Sequence, residues 1–351
     1  MRKKLLFKSR SKKLRFQFAY RMIGILIASI GLFYLALFTV QVVPQGKEYL
    51  DASALRIKIV PKSGISSIAN QLQAQGIIAP AWIFQIGARS LGVASKLKPG
   101  TYIFKPGSSM GSILLQLGRG DRVREAIKII PGMTIWQVQE IINQHPALIH
   151  ETKGWHTKQL LEALGLTGSS LEGWLLPDTY LFDPDDSDLS IYKRSLAAMQ
   201  KQLKSLENEK PLVPPLKSTY ELLILASIIE KETGQASERD LISAVFHNRL
   251  NKGMRLQTDP TVIYGIGPKF DGNIRKADLL RNTPYNTYIH TGLTPTPIAM
   301  PSRESLIAAA SPANSKALYF VAKGDGSSHF SESLSEHEKA VDRYQRKKNS
   351  P

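Results

Sequence analysis

No cysteine occurs among the 351 residues, and that absence removes disulfides, thiolate metal sites and cysteine nucleophiles together. The seven histidines do not fall into HExxH or any other ligand spacing, so no metal is expected. Also missing are a GxSxG nucleophile elbow, a P-loop and a dinucleotide-binding glycine fingerprint, and no Ser-His-Asp set can be assembled from spacing. No cofactor is expected. Acid is missing too from Met1–Arg21, which holds nine Lys/Arg and no Asp or Glu. The net charge of +17 would by itself suggest a nucleic-acid binder, but only about +8 of it is spread over everything downstream of that arm. No DNA- or RNA-binding motif accompanies the charge, and no nucleic-acid partner is expected. A basic arm that did bind one would show affinity collapsing with salt.

With 42% hydrophobic residues the chain can bury real cores, and its length suits two or three modest domains. From Met22 to Val43, MIGILIASIGLFYLALFTVQVV runs without a charge, about 33 Å as a helix and enough to cross a bilayer. A cleaved signal peptide would have a shorter apolar core ending at a small-residue site. The basic flank precedes the run, so the positive-inside rule leaves the N-terminus in the cytoplasm. The expectation is a single-pass protein of the cytoplasmic (inner) membrane with everything after the span outside the cytoplasm.

A pattern then repeats. IKIVPKSGISSIANQL begins at Ile57, YIFKPGSSMGSILLQL at Tyr102 and IKIIPGMTIWQVQEII at Ile127. Each is a short β-like run, a turn opened by proline and a helical segment. Counted from Pro61, Pro106 and Pro131, the apolar residues Ile65, Ile68 and Leu72 recur as Met110, Ile113 and Leu117, and as Ile135, Val138 and Ile142. Spacings of three and four mark one helix face. Small strand-turn-helix units outside a membrane resemble LysM-type modules, which bind the sugar backbone of peptidoglycan and chitin. A structural spacer fits the same pattern.

The most informative stretch is STYELLILASIIEKETG, which starts at Ser218. Ser218 with Glu221 reads as a capping box opening a helix. Leu222–Ile229 is almost wholly apolar and belongs inside a core. Glu230 and Glu232 follow, with Gly234 as the expected stop. Two residues apart on a helix means about 200° of rotation, so the two acids cannot do the same job. Glu232 continues the stripe of Leu225, Ile228 and Ile229. A carboxyl held against apolar surface keeps its proton more tightly and can act as a general acid. Glu230 is assigned to structure, paired with Arg239 or Lys231.

Around this helix lie polar and aromatic groups. LEGWLLPDTYLFDP, residues 171 to 184, embeds Glu172 and Asp178 among large apolar side chains, an arrangement that is costly unless the acids are paired or functional. A second capped helix is expected from Ser237, ending at Gly253. MRLQTDPTVIYGIG then compresses Arg255, Gln257, Thr258, Asp259 and Tyr264 into ten residues, with Asp259-Pro260 as a helix start. The loop TPYNTYIHTGLTPTPIAMPS, from Thr283, reads as a surface that lines a binding site. One carboxyl on an apolar helix end, with amides, hydroxyls and aromatics, is an inventory that suits sugars. Glycosidases ordinarily need two carboxylates. Asp178, Glu238 and Asp259 are candidates for the second. A single carboxyl also works where the substrate supplies its own nucleophile, as the C6 hydroxyl of N-acetylmuramic acid can.

The run ASIIEKETGQASERDLISAVFHNRL…GMRLQTDPTVIYGIG, with EGWLLPDTY before it and YNTY…GLTPTPIAMPS after it, closely resembles the endolytic murein transglycosylases of the YceG-like family. The resemblance covers essentially the whole chain. It implies cleavage inside nascent glycan strands at the outer face of the membrane, with peptidoglycan synthases as expected partners. The family's catalytic glutamate, the second acid of its EKET motif, falls on Glu232. Substrate contacts are expected from Gln257, Tyr264 and Asn286, and also from Asp178 and Tyr180. The fold class expected is α+β: a single transmembrane helix, a LysM-like region and a helix-rich, lysozyme-like catalytic domain with some β. The expected divisions are a basic cytoplasmic segment (1–21), a span (22–43), a linker (44–56), the LysM-like region (57–145), the catalytic domain (146–345) and a tail (346–351).

Overall fold

The long apolar run near the N-terminus forms α1 (Arg2–Thr39), of which Phe16–Thr39 is long and apolar enough to cross a membrane. The computed structural model describes residues 2–43 and 55–346, with side chains from residue 16 onward. Most of the expected linker (44–54) and tail (347–351) lies outside the described residues. The helix stops short of the expected Val43. The Thr39 hydroxyl donates to the Leu35 carbonyl at 2.7 Å, and the amides of Val42 and Val43 leave the axis to donate to the Ser108 carbonyl at 3.1 and 3.2 Å. β-branched residues at 40, 42 and 43 favour that extended exit.

By internal contacts the chain divides into two units, residues 1–124 and 125–351. In the first, each proline turn separates a strand from a helix as the spacing predicts. β1 (Arg56–Ile59) precedes α2 (Ile65–Ala74); after α3 (Ala81–Ser90), β2 (Gly100–Ile103) precedes α4 (Met110–Arg119). β1 and β2 pair antiparallel, with Ile57 opposite Tyr102. Ile68, Leu72, Phe84, Tyr102, Ile113 and Leu117 are buried together. The end of α1 packs here as well: Leu37 is buried, and a Cβ on Gly111 of α4 would stand 2.5 Å from the Phe38 ring, so only glycine permits the approach. The intervening α3 has no counterpart in the repeat, which is why the repeat did not announce it.

The third repeat, β3 (Glu125–Ile129) and α5 (Ile135–Asn143), belongs to the second unit. β3 pairs antiparallel with β5 (Asp178–Phe182), placing Ile127 opposite Tyr180. The contact division therefore falls after Arg124, earlier in the chain than the expected boundary near residue 145. Local pattern makes a strand, but only the tertiary partner decides which unit owns it. Between and after these strands come β4 (Leu148–Ile149), α6 (Thr157–Ala163), β6 (Asp186–Ser187) and α7 (Asp188–Glu209). The rest of the unit is α8 (Thr219–Glu232), α9 (Arg239–Asn251), α10 (Asp259–Ile266), α11 (Lys276–Leu280), α12 (Arg303–Ala310), the hairpin β7 (Tyr319–Ala322) and β8 (Ser328–Ser331), and α13 (Leu334–Val341). Helix and sheet are thus mixed, with helix predominant.

All eight residues of Leu222–Ile229 in α8 are buried. They pack with Phe246 of α9 and with Leu306 and Ala309 of α12. Fully burying a leucine or isoleucine is worth about 1.5–3 kcal/mol, so this helix is held by its surroundings and its end is a stable platform. The start forms as read: the Ser218 hydroxyl accepts from the Glu221 amide at 3.1 Å. The Glu221 carboxylate reaches one residue further than a capping box requires and accepts from the Lys217 amide. At the other end Gly234 is not the stop. Thr233 takes an extended conformation, and its hydroxyl donates to the Ile229 carbonyl at 2.6 Å.

Candidate active site

Glu230 and Glu232 leave the last turn of α8 in different directions and find different partners. The Glu230 carboxylate accepts from the Ser302 amide at 2.9 Å and the Ser305 hydroxyl at 2.6 Å, with the Ser302 hydroxyl also bonded to it. It thereby secures the N-terminus of α12, where anionic charge is stabilised by unpaired amides. Its partners are these serines, where the sequence suggested Arg239 or Lys231. Glu232 instead accepts from the hydroxyl of Thr258, the N-cap residue of α10. Thr258 is itself pinned, its amide donating to the Thr287 hydroxyl at 3.1 Å and its carbonyl accepting from Thr261 at 2.7 Å.

Burial raises the pKa of Glu232 above the ordinary carboxylate value, and the nearby Asp259 carboxylate raises it further; the Thr258 hydrogen bond and the charge of Arg249 pull it back. The group is thus biased toward its protonated form while keeping partners that steady the ionised one. It faces a cleft of about 630 Å³ lined also by Arg249, Gln257, Thr258, Asp259 and Tyr288, and by Tyr319 and His337 of β7 and α13. Arg249 is 9% exposed. Its guanidinium donates to the carbonyls of Leu318 and Leu256, both at 2.7 Å, and lies over the Tyr319 ring. Tyr288 donates its hydroxyl to Asp259 at 2.6 Å. Burial and the Arg249 charge push the pKa of His337 down, and its buried Nδ1 has no hydrogen-bond partner among the described residues.

Of the five expected substrate contacts, Gln257 lines the cleft, with its backbone at φ 49°. That left-handed conformation is uncommon outside glycine, and the Gln257 amide is held by the Thr287 carbonyl at 3.1 Å. The other four are absent from the cleft lining. Asn286 is 1% exposed and spends its amide on the chain: Nδ2 donates to the carbonyls of Leu279 and Arg281, and Oδ1 accepts from the Tyr288 amide. It shapes the loop that carries Tyr288. Tyr264 packs against Trp136 and Tyr285 at centroid distances of 5.0 and 4.8 Å. Tyr180 is buried and donates to the Leu176 carbonyl at 2.6 Å. Asp178 is exposed at the start of β5 and accepts from the neighbouring Thr179 amide.

The candidates for a second carboxylate separate in the same way. Glu238 accepts from the Ser328 amide at 2.8 Å and Asp178 lies outside the cleft; Asp259 alone of the three lines it. Glu172, singled out as a costly acid, is 0% exposed and accepts from the Ile135 amide at 2.9 and 3.1 Å, capping α5. Among the described residues no group of three or more His, Asp or Glu could hold a metal ion. The residues the sequence missed are Arg249, Tyr288, Tyr319 and His337. Arg249 carried a faint signal, since it lies one helical turn beyond Val245 on the expected apolar face of α9. Tyr319 and His337 carried none, because they reach the cleft only through the hairpin and α13.

Comparison with known proteins shows the family. The chain matches the YceG-like family over residues 57–343. It is 35% identical over 323 residues to the endolytic murein transglycosylase of Bacillus subtilis, covering 85% of this chain and 86% of that one. An endolytic murein transglycosylase of Streptococcus pneumoniae is 28% identical over 333 residues, and there the match spans 83% of this chain but 59% of the longer relative. Among solved structures, a YceG-like protein of Listeria monocytogenes superposes with a TM-score of 0.53 at 30% identity, covering 81% of this chain and 98% of that one. The chain belongs to the YceG-like family.

Proposed function

We propose that the protein is a membrane-anchored endolytic lytic transglycosylase. It cuts the β-1,4 bond between N-acetylmuramic acid and N-acetylglucosamine inside nascent peptidoglycan strands, leaving 1,6-anhydro ends and terminating their elongation. The observation that carries this reading is Glu232: a carboxyl with raised proton affinity, hydrogen-bonded to Thr258 and open to a cleft of polar and aromatic groups. The names of the Bacillus and Streptococcus relatives support the same activity.

In the first step protonated Glu232 donates its proton to the glycosidic oxygen as the bond to the anomeric carbon breaks. Glu232 is then a carboxylate, and the Thr258 hydroxyl and the Arg249 charge stabilise it. In the second step it removes the proton of the muramic acid C6 hydroxyl, whose oxygen closes on the anomeric carbon. Glu232 regains its proton and no water is consumed. Gln257 and Tyr288, which line the cleft, supply hydrogen bonds that orient sugar rings. Asp259 already accepts from Tyr288, which suits it to holding that tyrosine. Were Asp259 instead to activate water, the products would be reducing ends.

The rest of the chain is read around this site. The apolar helix anchors the protein with its N-terminus in the cytoplasm and the cleft outside. The strand-turn-helix elements after it are a LysM-like contact for glycan, and the Glu232 platform is the counterpart of a lysozyme-like catalytic helix end. Peptidoglycan synthases, which make the substrate strands, are the natural partners. The test is product mass after incubating the purified full-length protein with uncrosslinked glycan strands. Internal fragments with anhydro ends, lighter by one water than hydrolysis products and lost in Glu232→Gln, are expected. Reducing ends would replace the mechanism by hydrolysis, and intact strands would overturn the activity.

A further inference from the structure

We propose that the exposed face of α3 is a membrane contact, resting in the interfacial layer of the bilayer that α1 crosses. The inference rests on reading α1 as a span and goes beyond it, since it concerns the folded unit next to the span.

Length is the first constraint on the span. Every residue from Phe16 to Leu32 is exposed. That stretch is about 25 Å long, and only about 16 Å when counted from Met22, beyond the charge of Arg21. Both fall short of the ~30 Å hydrocarbon core. The missing length must come from Phe33–Thr39. Those are the turns already packed on the first unit: Tyr34 donates its hydroxyl to the Ser90 carbonyl at 3.3 Å, and Leu37 lies against Gly87 of α3. If Phe33–Thr39 is needed to complete the crossing, α3 is drawn to the apolar boundary with it.

The side chains on α3 suit that position. Trp82 is 59% exposed and Ile86 44%, and Arg89 is exposed one turn beyond. Spacings of four and three put all three on one stripe of the helix. Beside the stripe, Trp82 and Ile83 join Phe33, Ala36, Val40 and Met110 in lining an apolar groove of about 230 Å³. In water these surfaces would stand uncovered. At a bilayer interface the Trp82 indole takes the headgroup level it favours, the groove takes an acyl chain, and Arg89 meets phosphate. The unit would thus be held flat against the membrane instead of swinging from a tether.

Because the chain has no cysteine, the full-length protein can carry one introduced thiol at a time: Trp82→Cys, Ile86→Cys, Ile27→Cys in the exposed span, or Asn70→Cys on the exposed side of α2. Each is labelled with an environment-sensitive fluorophore and reconstituted into vesicles of phosphatidylcholine and phosphatidylglycerol. Nitroxide lipids quenching at shallow or deep positions, and aqueous iodide, report location. The expected result is Ile27 quenched by the deep nitroxide, Trp82 and Ile86 quenched by the shallow one at least about twofold more than Asn70, and iodide reaching only Asn70. Quenching of Ile27 while Trp82 and Ile86 behave like Asn70 overturns the α3 contact and leaves the anchor standing. Shielding of Trp82 and Ile86 from both lipid nitroxide and iodide assigns the face to a second protein surface and also overturns it. An unquenched Ile27 removes the span and this inference with it.

Discussion

Raising the pH toward neutrality should destabilise the folded second unit through Glu172, and Glu172→Gln should remove that dependence. Its carboxyl is fully buried, and burial, the dominant cause, pushes its pKa from 4.5 to about 7 against the opposing pull of the Ile135 amide, Tyr264 and Lys231. Below about pH 4.5 folded and unfolded chains both hold the proton, and ionisation costs nothing. Between about 4.5 and 7 the unfolded chain releases it while the folded chain keeps it, so stability falls as pH rises; above about 7 the loss is complete. A difference of about 2.5 pKa units corresponds to about 3 kcal/mol. For a unit of this size that is roughly 6–12 °C in melting temperature. Glutamine retains an oxygen to accept from the Ile135 amide and cannot ionise. Thermal unfolding of full-length wild type and variant in detergent, followed by tryptophan fluorescence across this range, gives the comparison. Wild-type stability relative to the variant should decline by about 3 kcal/mol between acid and neutral pH. Parallel curves would refute the assignment of a buried, proton-holding Glu172.

Glu232→Gln should abolish turnover yet raise stability at neutral pH, since the folded pKa of Glu232 is also elevated by burial; denaturant midpoints at acid and neutral pH read this, and equal midpoints at both would contradict it. Thr258→Val removes a hydrogen bond that favours the ionised form, so the alkaline limb of the pH–rate profile should move upward; a downward shift would show that Thr258 does not stabilise the carboxylate. Asn286→Ala should cost about 2–4 kcal/mol by leaving buried carbonyls and the Tyr288 amide unpaired, measured as a loss in urea-unfolding free energy. Gly173 sits at φ 80°, and a Cβ there would lie 2.5 Å from Pro297, so Gly173→Ala should cost about 2–4 kcal/mol and lower the melting temperature accordingly.

The elements differ in how their information is carried. α8 was legible because its cap, apolar body and terminal acids are consecutive residues, and helix rotation alone separates Glu230 from Glu232. The three proline turns were legible for the same reason. The stop of α8 differs from the expected Gly234 because glycine is only a common terminator, whereas the Thr233 hydroxyl occupies the Ile229 carbonyl. The backbone partners of Asn286 left no mark in the sequence, because an amide in a proline-rich loop has the same composition whether it faces a ligand or backbone carbonyls.

By itself, then, the sequence determined the strand, proline turn and helix of each repeated unit, the capped start of α8, and which acid of α8 lies on the apolar stripe. Those properties follow from backbone sterics and a periodicity read within a few residues. Tertiary structure decided that β3 belongs with β5, that Glu230 and Glu172 cap distant helices, and that Thr258 is the hydroxyl presented to Glu232. These depend on contacts between residues tens of positions apart, whose selection rests on the packing of whole elements and leaves no local periodicity to read.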